Sequence, residues 1–186
     1  MPSMIPDDNF NGEPPARQET VEVQTPEPGE DIVPLDSGEG QKIELPKYLE
    51  WTVILYMCGS DLESNAGSMS YAPADILKMN LPDGLEVIAI TGGARNWDPL
   101  GTGSRRPGYI QPSPDENAVY WIQKGTAASG ENQMVKLGAL QTTEGTSLNM
   151  GESDTVEALF KLVDNVFPAA FDAGHLMLVY LDHGGA

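Results

Sequence analysis

Apolar residues occur along this chain in short continuous runs, separated by polar stretches that contain glycine. The three clearest runs span residues 51–57, 85–91 and 176–181, and they hold few polar side chains. Runs of this length that are apolar on both faces are typical of parallel strands covered by helices. The pattern therefore predicts three strands that are buried on both faces.

Two segments between these strands have helical patterns. Residues 72–79 place Pro73 at the start of a short helix, a position that tolerates proline. Residues 153–167 repeat apolar positions at helical spacing, with Ser153 as the predicted N-cap and Pro168 after the end. The order of strand and helix predicts right-handed βαβ units in a parallel sheet. The predicted apolar face of the second helix consists of Val156, Leu159, Phe160, Val163 and Phe167.

Residues 92–117 form a long stretch with five glycines and four prolines. Loops of this length in a compact domain are usually functional or disordered. This stretch holds four residues that either shape a substrate groove or decorate a mobile surface loop: Trp97, Arg95, Arg105 and Arg106. Two β-patterned segments follow, at 118–123 and 133–140, and they predict two more strands.

Residues 1–48 differ sharply in composition from the rest of the chain. They hold eight of the fifteen prolines, and eleven acidic residues against three basic ones. Apolar residues are scattered singly, so the segment cannot bury enough surface to offset its ordering entropy. We therefore predict a disordered, acidic, proline-rich segment at 1–48 and a folded domain at 49–186.

Charge and composition exclude several classes of function. The net charge of −18 argues against binding to nucleic acid or to anionic membrane surfaces. No apolar run reaches the roughly 18 residues that a membrane span requires, and the first residues show no signal-peptide pattern. The single cysteine, Cys58, excludes an internal disulfide and a multi-cysteine zinc site.

Each predicted strand is followed by a residue that has a reactive side chain or allows a tight turn: Cys58, Gly92 and His183. The carboxyl ends of parallel strands share one sheet edge, where ligands and chemistry collect in α/β proteins. A histidine there can move protons near neutral pH, and it can activate a thiol. The alternative is a strand-ending turn with an incidental surface histidine, and the residue pattern leaves both interpretations open.

Several ordered motifs resemble the clostripain family of cysteine endopeptidases, relatives of caspases, gingipains and legumains. The matching segments are WTVILYMCGSDLES (51–64), EVIAITGGARNW (86–97), SLNMGESDTVEALFKLV (147–163) and LVYLDHGG (178–185). The resemblance implies a caspase-like three-layer α/β/α sandwich with a mostly parallel sheet, incomplete in this chain. It also implies a secreted or cell-surface peptidase that cleaves protein substrates after arginine or lysine.

The resemblance assigns the catalytic roles to His183 and Gly184. His183 would protonate the leaving amine, and Gly184 would offer its backbone N–H to the oxyanion. The nucleophilic cysteine of the family follows the next core strand, so its expected source is a C-terminal segment or chain, and residues 1–186 are expected to be inactive by themselves. Cys58 and Asp182 are then structural residues.

No cofactor is required by this interpretation, although some relatives need calcium. Asp61 and Glu63 lie on one short segment, but two carboxylates fall short of the 6–8 oxygen ligands of calcium. Capping of the next helix is the favoured role for this pair. The second function that the sequence allows is a non-catalytic surface or interaction module that keeps the fold without the chemistry.

Overall fold

The computed structural model describes residues 32–35, 45–46, 49–126 and 130–182. His183 and Gly184 lie outside these residues. In chain order the elements are β1 (Ile32–Leu35), β2 (Trp51–Cys58), α1 (Ser60–Ala66), α2 (Tyr71–Ile76), β3 (Leu85–Gly92), β4 (Asn117–Gln123), β5 (Gln133–Thr142), α3 (Ser153–Val166), a 3₁₀ turn (Pro168–Ala170) and β6 (His175–Leu181).

One sheet joins all six described strands, in the order β1-β5-β4-β3-β2-β6. Strand β2 lies at the centre of a parallel trio, with β3 on one side and β6 on the other. Strands β4 and β5 then continue the sheet in antiparallel steps, and β1 pairs antiparallel with β5. Four of the six strands consequently point the same way, and the predicted α/β class with a mostly parallel sheet is confirmed.

Helices cover both faces of the central strands. Successive side chains of a strand point to opposite faces, so neighbouring residues of β2 enter different cores. Ile54 and Tyr56 of β2 belong to the core that contains α3. Leu55 and Met57, their neighbours in β2, belong to the second core, which α1 and α2 border. The predicted three-layer α/β/α arrangement is thus present. No helix among the described residues is long and apolar enough to cross a membrane.

The predicted long helix forms as α3, with Leu159 and Val163 completely buried on its inner face. Its N-cap is Glu152 in an extended conformation, and Ser153 is already helical, so the predicted cap position was wrong by one residue. Helix α1 was not predicted, because its segment SDLESNA has little apolar periodicity. Helix α2 begins at Tyr71 and ends at Ile76, earlier than the predicted 72–79.

Strand β6 forms where it was predicted, but the prediction that it is buried on both faces was wrong. Leu176 and Met177, which point to opposite faces, are 50% and 51% exposed. The reason is its position at the edge of the sheet, where β2 is its neighbour on one side and no described strand pairs with the other. An apolar run indicates that a strand is suited to burial, but other elements have to cover it.

Strand β1 lies inside the segment that composition predicts to be disordered. Its four residues pair with β5 in a register that places Pro34 opposite Leu140. A proline is tolerated there because β1 is an edge strand. Ile32 packs against the core that contains α3. The rest of this segment, residues 1–31, 36–44 and 47–48, lies outside the described residues.

Candidate active site

Three carboxyl ends of parallel strands meet at one edge of the sheet. Cys58 pairs with Gly92 across β2 and β3, and Met57 pairs with Leu181 across β2 and β6. The charge of Asp182, the next residue, is felt at the Cys58 thiol. The predicted convergence of β2, β3 and β6 is therefore present up to Asp182. The roles of His183 and Gly184 stay predictions, because both residues lie beyond the described part.

The thiol of Cys58 is not activated. Burial, and to a smaller extent the negative charge of Asp182, raise its pKa from 9.0 to about 11. A catalytic cysteine needs the opposite environment, one that lowers the thiol pKa and favours the thiolate. The predicted structural role of Cys58 agrees with this environment.

Beyond Cys58 and Gly92 the two strands remain in close contact. The N–H of Gly59 donates to the carbonyl of Gly92 at 2.7 Å. A Cβ on Gly59 would approach that of Ala94 to 2.5 Å, and a Cβ on Gly92 would collide with the amide of Asn117. Both positions consequently require glycine, because Ala94 lies too close to Gly59, and Asn117 too close to Gly92, for a side chain.

Asn117, completely buried at the start of β4, holds the chain segment that leads into α3. Its Oδ1 accepts the N–H of Leu148 at 2.5 Å, and its Nδ2 donates to the carbonyl of Leu148 at 3.2 Å. Nearby, the hydroxyl of Tyr56 donates to the carbonyl of Met150 at 2.9 Å. These bonds fasten residues 148–150, which belong to one of the family-like motifs, over the carboxyl ends of the central strands.

The long stretch after β3 is anchored along its first half and is not a free surface loop. Trp97 is only 1% exposed, so its predicted position on the groove or loop surface was wrong. Gln111 donates to the carbonyl of Trp97 at 2.7 Å. The neighbouring Asp98 adopts a left-handed φ of 53°, and its carboxylate accepts hydrogen bonds from Gly103 and Ser104. Burial by itself would raise the pKa of Asp98, but the hydrogen bonds lower it more, so the pKa lies below its ordinary value.

Glu63 is completely buried, and both of its carboxylate oxygens accept hydrogen bonds. Two of its donors are the N–H groups of Met69 and Ser70, just before α2. Glu63 itself lies inside α1, so the favoured capping role of this pair stays a prediction. Among the described residues no three or more His, Cys, Asp or Glu side chains gather into a metal-binding group. Asp61 lies in the first turn of α1.

His175, the second histidine, lies at the opposite end of β6 from His183. It is exposed, and its ring stacks on that of Trp51 with 4.4 Å between the centroids. This agrees with its interpretation as an ordinary surface residue.

Sequence reasoning missed Asn117 and the hydrogen-bonding role of Tyr56, and it gave Asp98 no role. The available signal for Asp98 was its position before Pro99, since Asx-Pro pairs favour turns. For Asn117 and Tyr56 there was none, because their partners lie 31 and 94 residues away along the chain.

No protein-family profile and no curated protein matches the sequence. Among solved structures, a clostripain from Bacteroides thetaiotaomicron ATCC 29148 in complex with a peptide inhibitor is similar, with a TM-score of 0.47 and 13% identity over 75% of this chain and 94% of that chain. A B. fragilis cysteine protease is similar with a TM-score of 0.46 and 10% identity, over 74% of this chain and 91% of that chain. These neighbours are cysteine proteases.

Proposed function

We propose that this chain is the histidine-bearing half of a clostripain-like cysteine endopeptidase that cleaves peptide bonds after arginine or lysine, outside the cell or at its surface. A C-terminal segment or a second chain supplies the nucleophilic cysteine. The observation that carries this proposal is strand β6, whose outer edge pairs with no described strand and which has exposed apolar side chains on both faces. It runs directly toward His183 and Gly184.

Such a strand favours a further strand at this edge and further covering elements on both faces. An open apolar edge exposes unpaired N–H and C=O groups, which proteins usually cover or protect with charges. Leu176, Leu178 and Tyr180, on the α3 side of the sheet, are all exposed. A segment that adds the next parallel strand would bury them and place its own carboxyl end beside His183.

The chemistry follows from the positions. A cysteine at the end of the added strand attacks the scissile carbonyl, and His183 protonates the leaving amine and helps to maintain the thiolate. The N–H of Gly184 stabilises the oxyanion, a contribution of roughly 3 kcal/mol for a well-placed donor. The high pKa of Cys58 favours a nucleophile from outside residues 1–186.

The test is His183→Ala in the complete protein, this chain together with the completing segment. Loss of a general acid lowers turnover of an arginyl amide by about 10²–10⁴-fold. The melting temperature is expected to change little, because the apolar residues of β6 are untouched. The matched control is His175→Ala, the same substitution at the other end of the same strand, which should retain turnover. Near-normal turnover of folded His183→Ala would remove His183 from the mechanism.

A further inference from the structure

Glu63 is a buried carboxylate that no cation pairs with among the described residues. It lies in α1, two residues beyond the first-turn Asp61, and it is completely inaccessible to solvent. Burying a carboxylate costs free energy unless it is fully hydrogen-bonded, so its partners identify what the burial stabilises.

Four donors converge on the Glu63 side chain from two separate parts of the chain. The N–H groups of Met69 and Ser70 donate to Oε2 at 2.7 and 2.9 Å. The Ser70 hydroxyl and the N–H of Asp98 donate to Oε1 at 2.5 and 2.7 Å. Each oxygen thus accepts two bonds, and Asp98 is the donor from the stretch that follows β3.

Asp98 extends this network into the following turn. Its carboxylate accepts the N–H of Gly103 at 2.9 Å and both the N–H and the hydroxyl of Ser104, at 2.7 and 2.8 Å. Because the backbone N–H of Asp98 in turn donates to the carboxylate of Glu63, the turn at 98–104 is fastened to α1 through two carboxylates in series.

Two further contacts fix the ends of this segment. The N–H of Arg95 donates to the hydroxyl of Ser64, one residue after Glu63, at 2.9 Å. The Tyr109 hydroxyl donates to the Ser70 oxygen at 3.1 Å, and Ser70 in turn donates to Glu63. The segment 93–109 is therefore held at its beginning, middle and end by α1 and the residues that follow it.

This fastened segment begins at the candidate active-site edge. It follows directly after Gly92, the partner of Cys58. Ala94 and Trp97 are buried, whereas Gly93, Arg95 and Asn96 between and before them are exposed. The hydrogen bonds to α1 and the residues after it therefore hold a short, fixed row of exposed residues beside the carboxyl ends of the strands.

We propose that Glu63 is a positioning residue, which holds residues 93–98 as one fixed wall of the groove for an extended peptide substrate. This inference rests on the proposed function. A peptide that reaches several residues from the scissile bond meets a preformed wall, so its binding does not have to order the segment first. The wall follows β3, which β2 separates from β6, so we do not expect a substrate with a single arginine, bound at the end of β6, to reach it.

The test is Glu63→Gln in the complete protein, measured in two ways. The amide keeps the size of the side chain but replaces one acceptor oxygen with a donor group, so it cannot accept all four bonds. We expect amide hydrogen exchange at Asp98, Gly103 and Ser104 to accelerate about tenfold or more, since a buried bond is lost. We also expect KM for an extended arginyl peptide to rise about tenfold with kcat retained, and both constants for a single-residue arginyl amide to stay near wild type.

Two controls separate positioning from general damage. Glu157→Gln makes the same chemical change on the exposed face of α3 and should alter neither exchange nor kinetics. If Glu63→Gln does not fold, Tyr109→Phe removes only the outer hydroxyl of the network and is expected to act in the same direction on exchange and on KM.

Unchanged exchange at 98–104, or equal losses for the long and the short substrate, would overturn the positioning role. A wild-type complete protein that cleaves neither substrate would overturn the proposed function instead. The exchange measurement would then still decide whether Glu63 fastens the segment.

Discussion

At the scale of single residues, Cys58 and Glu63 show how the surroundings decide chemistry. Cys58 follows a strand at the edge where catalysis is expected, but burial and Asp182 both disfavour its thiolate. Glu63 lies in a polar segment that reads as a solvated helix start, yet it is buried and bonded to a residue 35 positions away. In both cases the residue type is compatible with several roles, and the neighbours select one.

The first prediction concerns the reactivity of Cys58. A pKa of about 11 in place of 9.0 leaves roughly 100-fold less thiolate at pH 7 than an unperturbed thiol. Alkylation by iodoacetamide should therefore be about 100-fold slower in the folded chain than in urea, and it should rise with pH up to about 11. Rapid labelling of the folded chain at pH 7 would contradict this environment.

The same raised pKa has a consequence for stability, with a definite sign. The neutral thiol is favoured by the folded state, so its contribution is complete below pH 9.0 and is lost as pH rises through about 11. Tyr109, whose pKa burial raises to about 12, acts in the same direction at still higher pH.

Cys58→Ala should remove the first part of this alkaline loss of stability and, in the complete protein, retain most activity. An inactive but folded Cys58→Ala would place the nucleophile in this chain.

At the scale of elements, the two edges of the sheet behave differently. Strand β5 is covered along part of its length by β1, which comes from a segment whose composition favours disorder. At the other edge, β6 has no described partner on its outer side, and it is the longer edge strand, with seven residues against four in β1. Composition averaged over 48 residues cannot reveal a four-residue strand such as β1.

Truncation tests whether β1 stabilises the domain. Removal of residues 1–36 deletes the four pairs with β5, and cross-strand pairs are worth roughly 0.2–1 kcal/mol each. In the complete protein, with β6 covered, we expect the free energy of unfolding to fall by about 1–3 kcal/mol in urea denaturation. Removal of residues 1–30 leaves β1 intact and is the matched control, with no expected change. If both truncated chains unfold like the parent, the whole segment is a tether without contacts.

At the scale of the whole molecule, a large negative charge opposes an exposed apolar edge. The net charge of −18 makes copies of the chain repel one another, most strongly at low ionic strength. The apolar side chains of β6 and its outer backbone edge, which no described strand covers, favour association. The balance between the two therefore depends on salt.

We expect residues 1–186, studied alone, to self-associate or remain partly unfolded. Self-association should increase between about 10 and 150 mM salt, where the screening length falls from about 30 to 8 Å. Leu176→Lys should reduce association, since an inward lysine protects an open edge. Leu100→Lys changes a similarly exposed leucine outside β6, at 53% against 50% exposure, and is the control. Light scattering and thermal melts measure the outcome. A monomer with a sharp melt at every salt concentration would show that β6 needs no cover.

Local information in the sequence determined most of the elements. Continuous apolar runs identified β2, β3 and β6, and helical spacing identified α3 with its buried Leu159 and Val163, because a period reports which faces demand burial. The resemblance in ordered motifs supplied the expected family, the three layers and the roles of His183 and Gly184. Helix α1 was missed because polar residues dominate it, and its inner face is made by the carboxylate of Glu63.

The tertiary structure decided how these elements are used. It left β6 exposed, buried Trp97, raised the pKa of Cys58 and fastened residues 93–109 to Glu63. Each of these depends on contacts between residues that are distant in the chain, or on an element that covers another. A periodic pattern indicates that a face needs burial. The partner that buries this face exists only once the chain has folded, and the same holds for the electrostatic environment that results.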